Sequence, residues 1–194
     1  MTTGGSPLFE RWLPANWVGI CLVAGLVIRL QGLGWDEWLQ LHPDERNIVD
    51  AVLLLSQNGS FLPDFLAYNG LSLYFPLAIA SLVSSVPDAA DITWAARLLS
   101  ALFGSASILV GYLIAERISG NTAGQLAAFL LAFSAPLLQW SHFGTTESAL
   151  VFFVLCLWWL ALRLLSGETT LLQGALQSGL AIGVACGFKS SALA

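Results

Sequence analysis

Two carboxylates, an imidazole and a guanidinium fall within one short stretch, His42-Pro43-Asp44-Glu45-Arg46, set between strongly apolar segments. Side chains of these types can take a proton from a hydroxyl and hold an anion, so this is the first place to look for an active site. Pro43 suits the first position of a helix, which puts Asp44 and Glu45 in a first turn where the helix dipole favours negative charge. Ile48, Val49, Val52, Leu53 and Leu55 then share one face, with Arg46, Asn47 and Asp50 opposite. The pattern predicts an amphipathic helix at a membrane surface, ended by Asn58-Gly59. Trp35-Asp36-Glu37-Trp38 holds a second acidic pair, ranked below the first because it has tryptophan anchors suited to an interfacial belt but no clear helix start.

A second polar stretch, Ser141-His142-Phe143-Gly144-Thr145-Thr146-Glu147-Ser148, follows much later. Thr145 can cap the next helix and Glu147 can sit in its first turn for the dipole alone. A carboxylate beside His142 at a membrane boundary is costly, however, and such groups usually serve a site. His42 and His142 could ligate a divalent cation, although histidines in separate loops are more often hydrogen-bonding structural groups. Arg97 could reach an anionic headgroup or the acidic loop, or snorkel to the surface. The lone Lys189 either snorkels or holds an anion.

The elements that must position these residues follow from composition and hydropathy. Of 194 residues, 57% are hydrophobic and only 10% charged, with mean hydropathy +0.77, which marks a polytopic membrane protein. The net charge of -5 gathers in two loops, so it is local to a site, and nucleic acid is not an expected partner. Cys21, Cys156 and Cys186 each lie in an apolar segment and read as small buried hydrophobes, without a disulfide framework. No small-residue cleavage site follows the first apolar run, so that helix is expected to be retained.

Arg11 before the first apolar run puts the N-terminus in the cytoplasm, and the helix from Leu13 to Leu33 exits outward with Arg29 snorkelling near its end. The segment from Leu71 to Val86 is interrupted by Pro76 and is shorter than the roughly 20 residues a crossing needs. Were it to cross, Arg117 and Arg163 would face out and the acids of 86–91 would face in, against the charge rule. It therefore reads as interfacial or re-entrant. Crossings follow from Thr93 to Ala115, where Gly104, Ser105, Ser107 and Gly111 allow close helix approach, and from Thr122 to Trp140. A lipid-facing fourth ends near Leu165. The last starts near Leu171, with Ala175, Gly179, Gly183 and Gly187 as a close-packing seam. The expectation is an all-α bundle of about five crossings with juxtamembrane helices in a first outer loop of about 34–92. The second outer loop spans about 141–148, and both polar loops face out. Residues 1–194 read as one N-terminal transmembrane module, incomplete because Ala194 stops mid-helix.

The order of these features resembles the N-terminal part of the GT-C glycosyltransferases that use lipid-phosphate sugars, the group of protein O-mannosyltransferases and lipid A aminoarabinose transferases. The features are His42-Pro43-Asp44-Glu45, Tyr68-Asn69-Gly70, Arg97, His142 to Ser148, and Gly187-Phe188-Lys189. The resemblance implies a bundle of the GT-C type in which Asp44 is the catalytic base, Glu45 stands beside it, and Glu147 is the second-loop acid. It departs in having Glu147 where an aspartate is usual, and in lacking a lysine at Tyr68-Asn69-Gly70-Leu71. Donor phosphate would then rest on Arg46, Arg97 or Lys189.

The implied reaction is transfer of a sugar from a polyprenyl-phosphate donor to a lipid, glycan or protein hydroxyl on the outer face of the cell membrane. A divalent cation on His42, His142 or the acids is an expected possibility, and the module alone is expected to be inactive. A transporter, in which intramembrane acids relay protons or bind cations, and a non-catalytic assembly module are the competing classes. Against the first, the acids lie at the membrane boundary and no inverted repeat is visible.

Overall fold

The computed structural model describes residues 16–58, 62–63 and 67–193. Arg11, Leu13, Gly59, Phe61 and Asp64 lie outside the described residues. Within them the chain is all-α, as expected: α1 (Trp17–Leu30), α2 (Pro43–Asn58), α3 (Leu71–Val83), α4 (Ala89–Ser119), α5 (Asn121–Phe133), α6 (Ala135–Ser141), α7 (Glu147–Leu165) and α8 (Leu171–Phe188), with a 3-10 turn at Ser190–Leu193.

The central element is α4, which packs along α1, α2, α3, α5, α6 and α7 and meets the end of α8 through Phe103 and Phe188, whose ring centroids are 5.4 Å apart. It begins at Ala89, earlier than hydropathy suggests, because Asp88 and Asp91 form a reciprocal capping box. The Asp91 amide donates to Asp88 Oδ1 at 2.9 Å and the Asp88 amide to Asp91 Oδ2 at 3.2 Å. At 1.5 Å per residue its 31 residues reach about 46 Å, more than a bilayer core of about 30 Å requires. The expected small residues Gly104, Ser105, Ser107 and Gly111 are all buried. A Cβ on Gly104 would collide with Ser141 Oγ, and one on Gly111 with the Leu131 side chain.

Two clusters hold the bundle. Ile48, Val49, Val52 and Leu55 of α2 meet Leu73 and Ala80 of α3 and Ile92 and Ala95 of α4. The amphipathic face read for α2 is therefore covered by protein, while Arg46, Asn47 and Asp50 remain exposed. Cys21, Ile108, Ala128 and Ala132 join α1, α4 and α5. The 13 residues of α3 span only about 20 Å, and Pro76 leaves the Ser72 carbonyl without its helical donor, so α3 is too short to cross.

Among the described residues, α4, α7 and α8 are long and apolar enough to cross a membrane, and α5 with α6 would make a fourth span. The fifth crossing read from sequence rests on α1, which is a shorter apolar helix over its described length. Its N-terminal side lies outside the described residues.

Three expectations are corrected. The stretch from Thr122 to Trp140 is not one straight crossing: it bends by 54° between α5 and α6, where Ser134 is extended and Pro136 cannot continue the helix. Arg29 does not snorkel. It is fully buried at that bend, donating to the carbonyls of Leu131 (2.9 Å), Ala132 (3.1 Å) and Gly25 (3.0 Å) and to Ser141 Oγ (3.2 Å). The carbonyls at the end of α5 have lost helical donors, and a guanidinium there satisfies both the acceptors and the helix dipole. Finally, the seam on α8 is mostly open: a Cβ on Gly179 or Gly183 would meet nothing within 4 Å, whereas one on Gly187 would collide with Leu71.

Candidate active site

The two polar loops meet at one end of the bundle, and two adjacent carboxylates there have opposite environments. Glu45 is fully buried and Asp44 is half-buried, because successive residues of a helix point about 100° apart. The N-terminus of α2 is shaped by His42, whose Nδ1 accepts from the Asp44 amide at 3.2 Å, and whose carbonyl accepts from the Arg46 amide at 3.0 Å. Its ring packs on Phe143 of the second loop, with centroids 4.6 Å apart.

Glu45 belongs to a buried ionic hub. Arg97 Nε donates to Glu45 Oε1 (2.7 Å), and Nη2 donates to Glu45 Oε2 (2.6 Å) and Asp36 Oδ2 (2.8 Å). Nη1 donates to Asp36 Oδ1 (2.8 Å) and the Leu33 carbonyl (2.5 Å). These bonds use all the N–H donors a guanidinium has, and the Arg97, Asp36 and Glu45 side chains are fully buried. The Arg97 guanidinium also faces the rings of Trp35 and Trp38, 5.5 and 5.9 Å from their centroids. The tryptophans read as membrane anchors thus flank a buried cation. The bond to Arg97 holds the Asp36 carboxyl below the usual carboxylate range, against the opposing effect of burial. Asp36 in turn accepts from the amides of Trp38 and Leu41, both at 3.2 Å, and so folds the segment whose residues Glu37, Trp38 and Gln40 have positive φ.

The same hub fixes the second loop. Glu45 Oε1 accepts from the Gly144 amide at 2.6 Å, and Ser100 Oγ of α4 donates to the Thr145 carbonyl at 3.1 Å. A Cβ on Gly144 would stand 2.7 Å from Ala96 Cβ and 3.0 Å from Glu45 Oε1, so a side chain there would push the loop away. Of the two readings of this loop, capping by Thr145 does not hold. The Thr145 hydroxyl bonds to the Glu147 carboxylate, and Thr146 is the residue preceding the helix.

Asp44 points to a different group of residues. Its carboxylate shares a hydrogen bond with the Tyr68 phenol, and the charges of Asp44 and Glu147 both act on that phenol. Burial first, then the bond to Asp44 and these charges, push the phenol above the usual tyrosine range, so it stays protonated and donates. Lys189 Nζ donates to Glu147 Oε1 at 3.1 Å and lies 5.8 Å from the Tyr68 ring centroid. Asp44, Glu147 and Lys189, distant in sequence, therefore converge around Tyr68. Arg46 stands exposed in the same first turn of α2, on a different face from Asp44, with Nη2 donating to the Gln40 carbonyl at 3.2 Å.

Two expectations change here. Arg97 has no donor left for a phosphate, since Asp36, Glu45 and Leu33 take them all. The anticipated metal site does not fit either. His142 Nδ1 and Nε2 lie 2.8 and 2.9 Å from the carbonyls of Leu138 and Gln31, and His42 Nδ1 is engaged by the Asp44 amide. Among the described residues no group of three or more His, Cys, Asp or Glu side chains is placed to hold a metal. Asp36 and Tyr68 carry little signal in the sequence: each lies in a short non-helical segment, where no periodicity marks the side as buried. The local signals are the aromatic-acid pattern of 35–38 and the Tyr68-Asn69-Gly70 triplet.

Residues 76–194, more than half of the chain, match the family model described as dolichyl-phosphate-mannose-protein mannosyltransferase. The matched stretch includes Arg97, His142, Glu147 and Lys189, while Asp44, Glu45 and Tyr68 precede it. No curated protein and no solved structure matches the chain.

Proposed function

The chain belongs to the dolichyl-phosphate-mannose-protein mannosyltransferase family, and we propose that it transfers a sugar from a polyprenyl-phosphate donor to a hydroxyl acceptor with Asp44 as general base. Membership makes it a membrane glycosyltransferase of the GT-C type. The observation that carries the finer reading is the convergence of Asp44, Glu147 and Lys189 at the end of the bundle where both polar loops meet.

In this reading the Asp44 carboxylate takes the acceptor's hydroxyl proton as its oxygen attacks the sugar's anomeric carbon. The new carbon–oxygen bond forms as the bond to the phosphate oxygen breaks, and polyprenyl phosphate leaves with the electron pair. Attack opposite the leaving group inverts the anomeric configuration. Little is demanded of the protein beyond a base and compensation of phosphate charge. Asp44 suits the first task better than Glu45, because Glu45 is sealed in the hub with both oxygens bonded. Lys189 suits the second, with Arg46 exposed in the same turn as Asp44: an arriving phosphate would replace Glu147 as the partner of Lys189 and free that carboxylate to orient the acceptor. Glu45 and Arg97 then act as positioning residues, holding the two loops in register. The acceptor is a lipid, glycan or protein hydroxyl, and the site faces the extracytoplasmic side of the cell membrane.

The test is transfer of radiolabelled sugar from a polyprenyl-phosphate donor in membranes containing the wild type or Asp44→Asn. The variant should lose transfer by about 10²–10⁴-fold at equal membrane abundance. Transfer at the wild-type rate would move the base elsewhere.

A further inference from the structure

We propose that Tyr68 is a positioning residue for this reaction with two separable tasks: its hydroxyl fixes the Asp44 carboxylate, and its ring face carries the Lys189 ammonium. The inference rests on the reading of Asp44 as base and Lys189 as phosphate partner.

Tyr68 lies in the short connection between α2 and α3, and its side chain is only 8% exposed, packed in the core shared by α2, α3 and α4. The backbone beside it is tied to the end of α8. The Asn69 amide donates to the Phe188 carbonyl at 3.4 Å, and the Asn69 side chain donates to the Cys186 carbonyl. Ser72 Oγ closes the turn by donating to the Asn69 carbonyl at 2.6 Å. A buried ring is thus held between a helix that brings Asp44 and a helix end that brings Lys189.

Both client side chains need such a platform. Asp44 is half-exposed in a first helical turn, where its carboxylate has several accessible rotamers, and a single buried phenol donor selects one of them. Lys189 has a flexible stem, its side chain is 30% exposed, and its ammonium is paired with the Glu147 carboxylate. The electron-rich ring face gives the ammonium a second attraction that remains when phosphate takes the place of Glu147.

The two tasks separate by substitution in the purified full chain in lipid nanodiscs, reading steady-state sugar transfer and the binding of polyprenyl monophosphate. Tyr68→Phe keeps the ring and removes the hydroxyl. Its kcat should fall about ten-fold or more, with donor KM and polyprenyl monophosphate Kd unchanged. Tyr68→Leu removes both and should add a two- to five-fold or so weakening of polyprenyl monophosphate binding. In a Lys189→Gln background the same Tyr68→Leu change should leave that Kd unaltered.

A Phe variant with wild-type kcat overturns the first task, and a fall in kcat matched by an equal rise in donor KM marks a merely structural role and overturns it too. Equal weakening of binding by Tyr68→Leu with and without Lys189 overturns the second. Should the Leu variant fail to fold, Tyr68→Met, which fills the space without a ring face, takes its place: a Kd weakened two- to five-fold or so supports the second task, and a Kd as in Tyr68→Phe overturns it. A wild type that neither transfers sugar nor binds polyprenyl monophosphate would instead sink the underlying reading.

Discussion

The residues with the greatest influence on the site are buried ones that never meet solvent. One guanidinium serves two carboxylates in the Arg97 hub, and all its donors are spent on aligned acceptors, the arrangement that makes burying charge tolerable. Removing one partner is costly because the others cannot rehydrate. Asp36→Asn should therefore destabilise the protein by about 3–5 kcal/mol, read as a fall in unfolding temperature in detergent. The pH dependence follows from the same contact. The Asp36 carboxyl is held below its unfolded value of about 3.9 by Arg97, so its contribution is complete above about pH 4. It is lost as the pH falls through the folded value, where the native state must take up a proton. The wild type should lose stability steeply in that acid window, and Asp36→Asn should flatten this part of the profile. A variant with an unchanged acid limb would show that other carboxylates set it.

At the scale of elements, close approach decides which glycines matter. Gly144 lets the second loop lie on α4 beneath Glu45, whereas Gly179 on α8 faces open space, although both are simply glycines in the sequence. Gly144→Ala should cost about 1–3 kcal/mol and raise amide hydrogen exchange across 141–148. Gly179→Ala should be neutral or stabilising by up to about 1 kcal/mol, since it improves helix propensity and meets nothing. Equal effects at the two positions would contradict this packing. The break between α5 and α6 shows the same dependence on neighbours. Pro136 announces an interruption, but the buried charge of Arg29, from another helix, satisfies the carbonyls that the interruption leaves. It also holds Ser141, where the second loop begins.

For the whole molecule, the polar ends of the bundle differ in charge. Asp36, Asp44, Glu45 and Glu147 gather at one end with Arg46, Arg97 and Lys189, and Arg117 and Arg163 share Glu168 at the other. The proposed orientation, with the site outside, is tested directly by labelling. With the three native cysteines replaced, Asp50→Cys should react with a membrane-impermeant maleimide added outside intact cells, and Ser166→Cys only after permeabilisation. The reverse pattern would invert the proposed topology. Much of this architecture is legible in the residues themselves. Apolar runs, the Pro43 helix start, the Pro76 interruption and the 3.6-residue periodicity of α2 are local, and local rules place the helices and bring both acidic loops into view. The roles of adjacent carboxylates are not local. Asp44 and Glu45 are neighbours with the same chemistry, and what separates them is an arginine 52 residues from Glu45 and 61 from Asp36 that packing alone could bring to one of them. A helical membrane protein with acids at two loops can be read residue by residue, because hydropathy and periodicity act over a few turns. Which acid is sealed, which is open beside Tyr68, and which cations remain for an anion emerge when the helices pack, because burial and hydrogen-bond satisfaction belong to the packed whole.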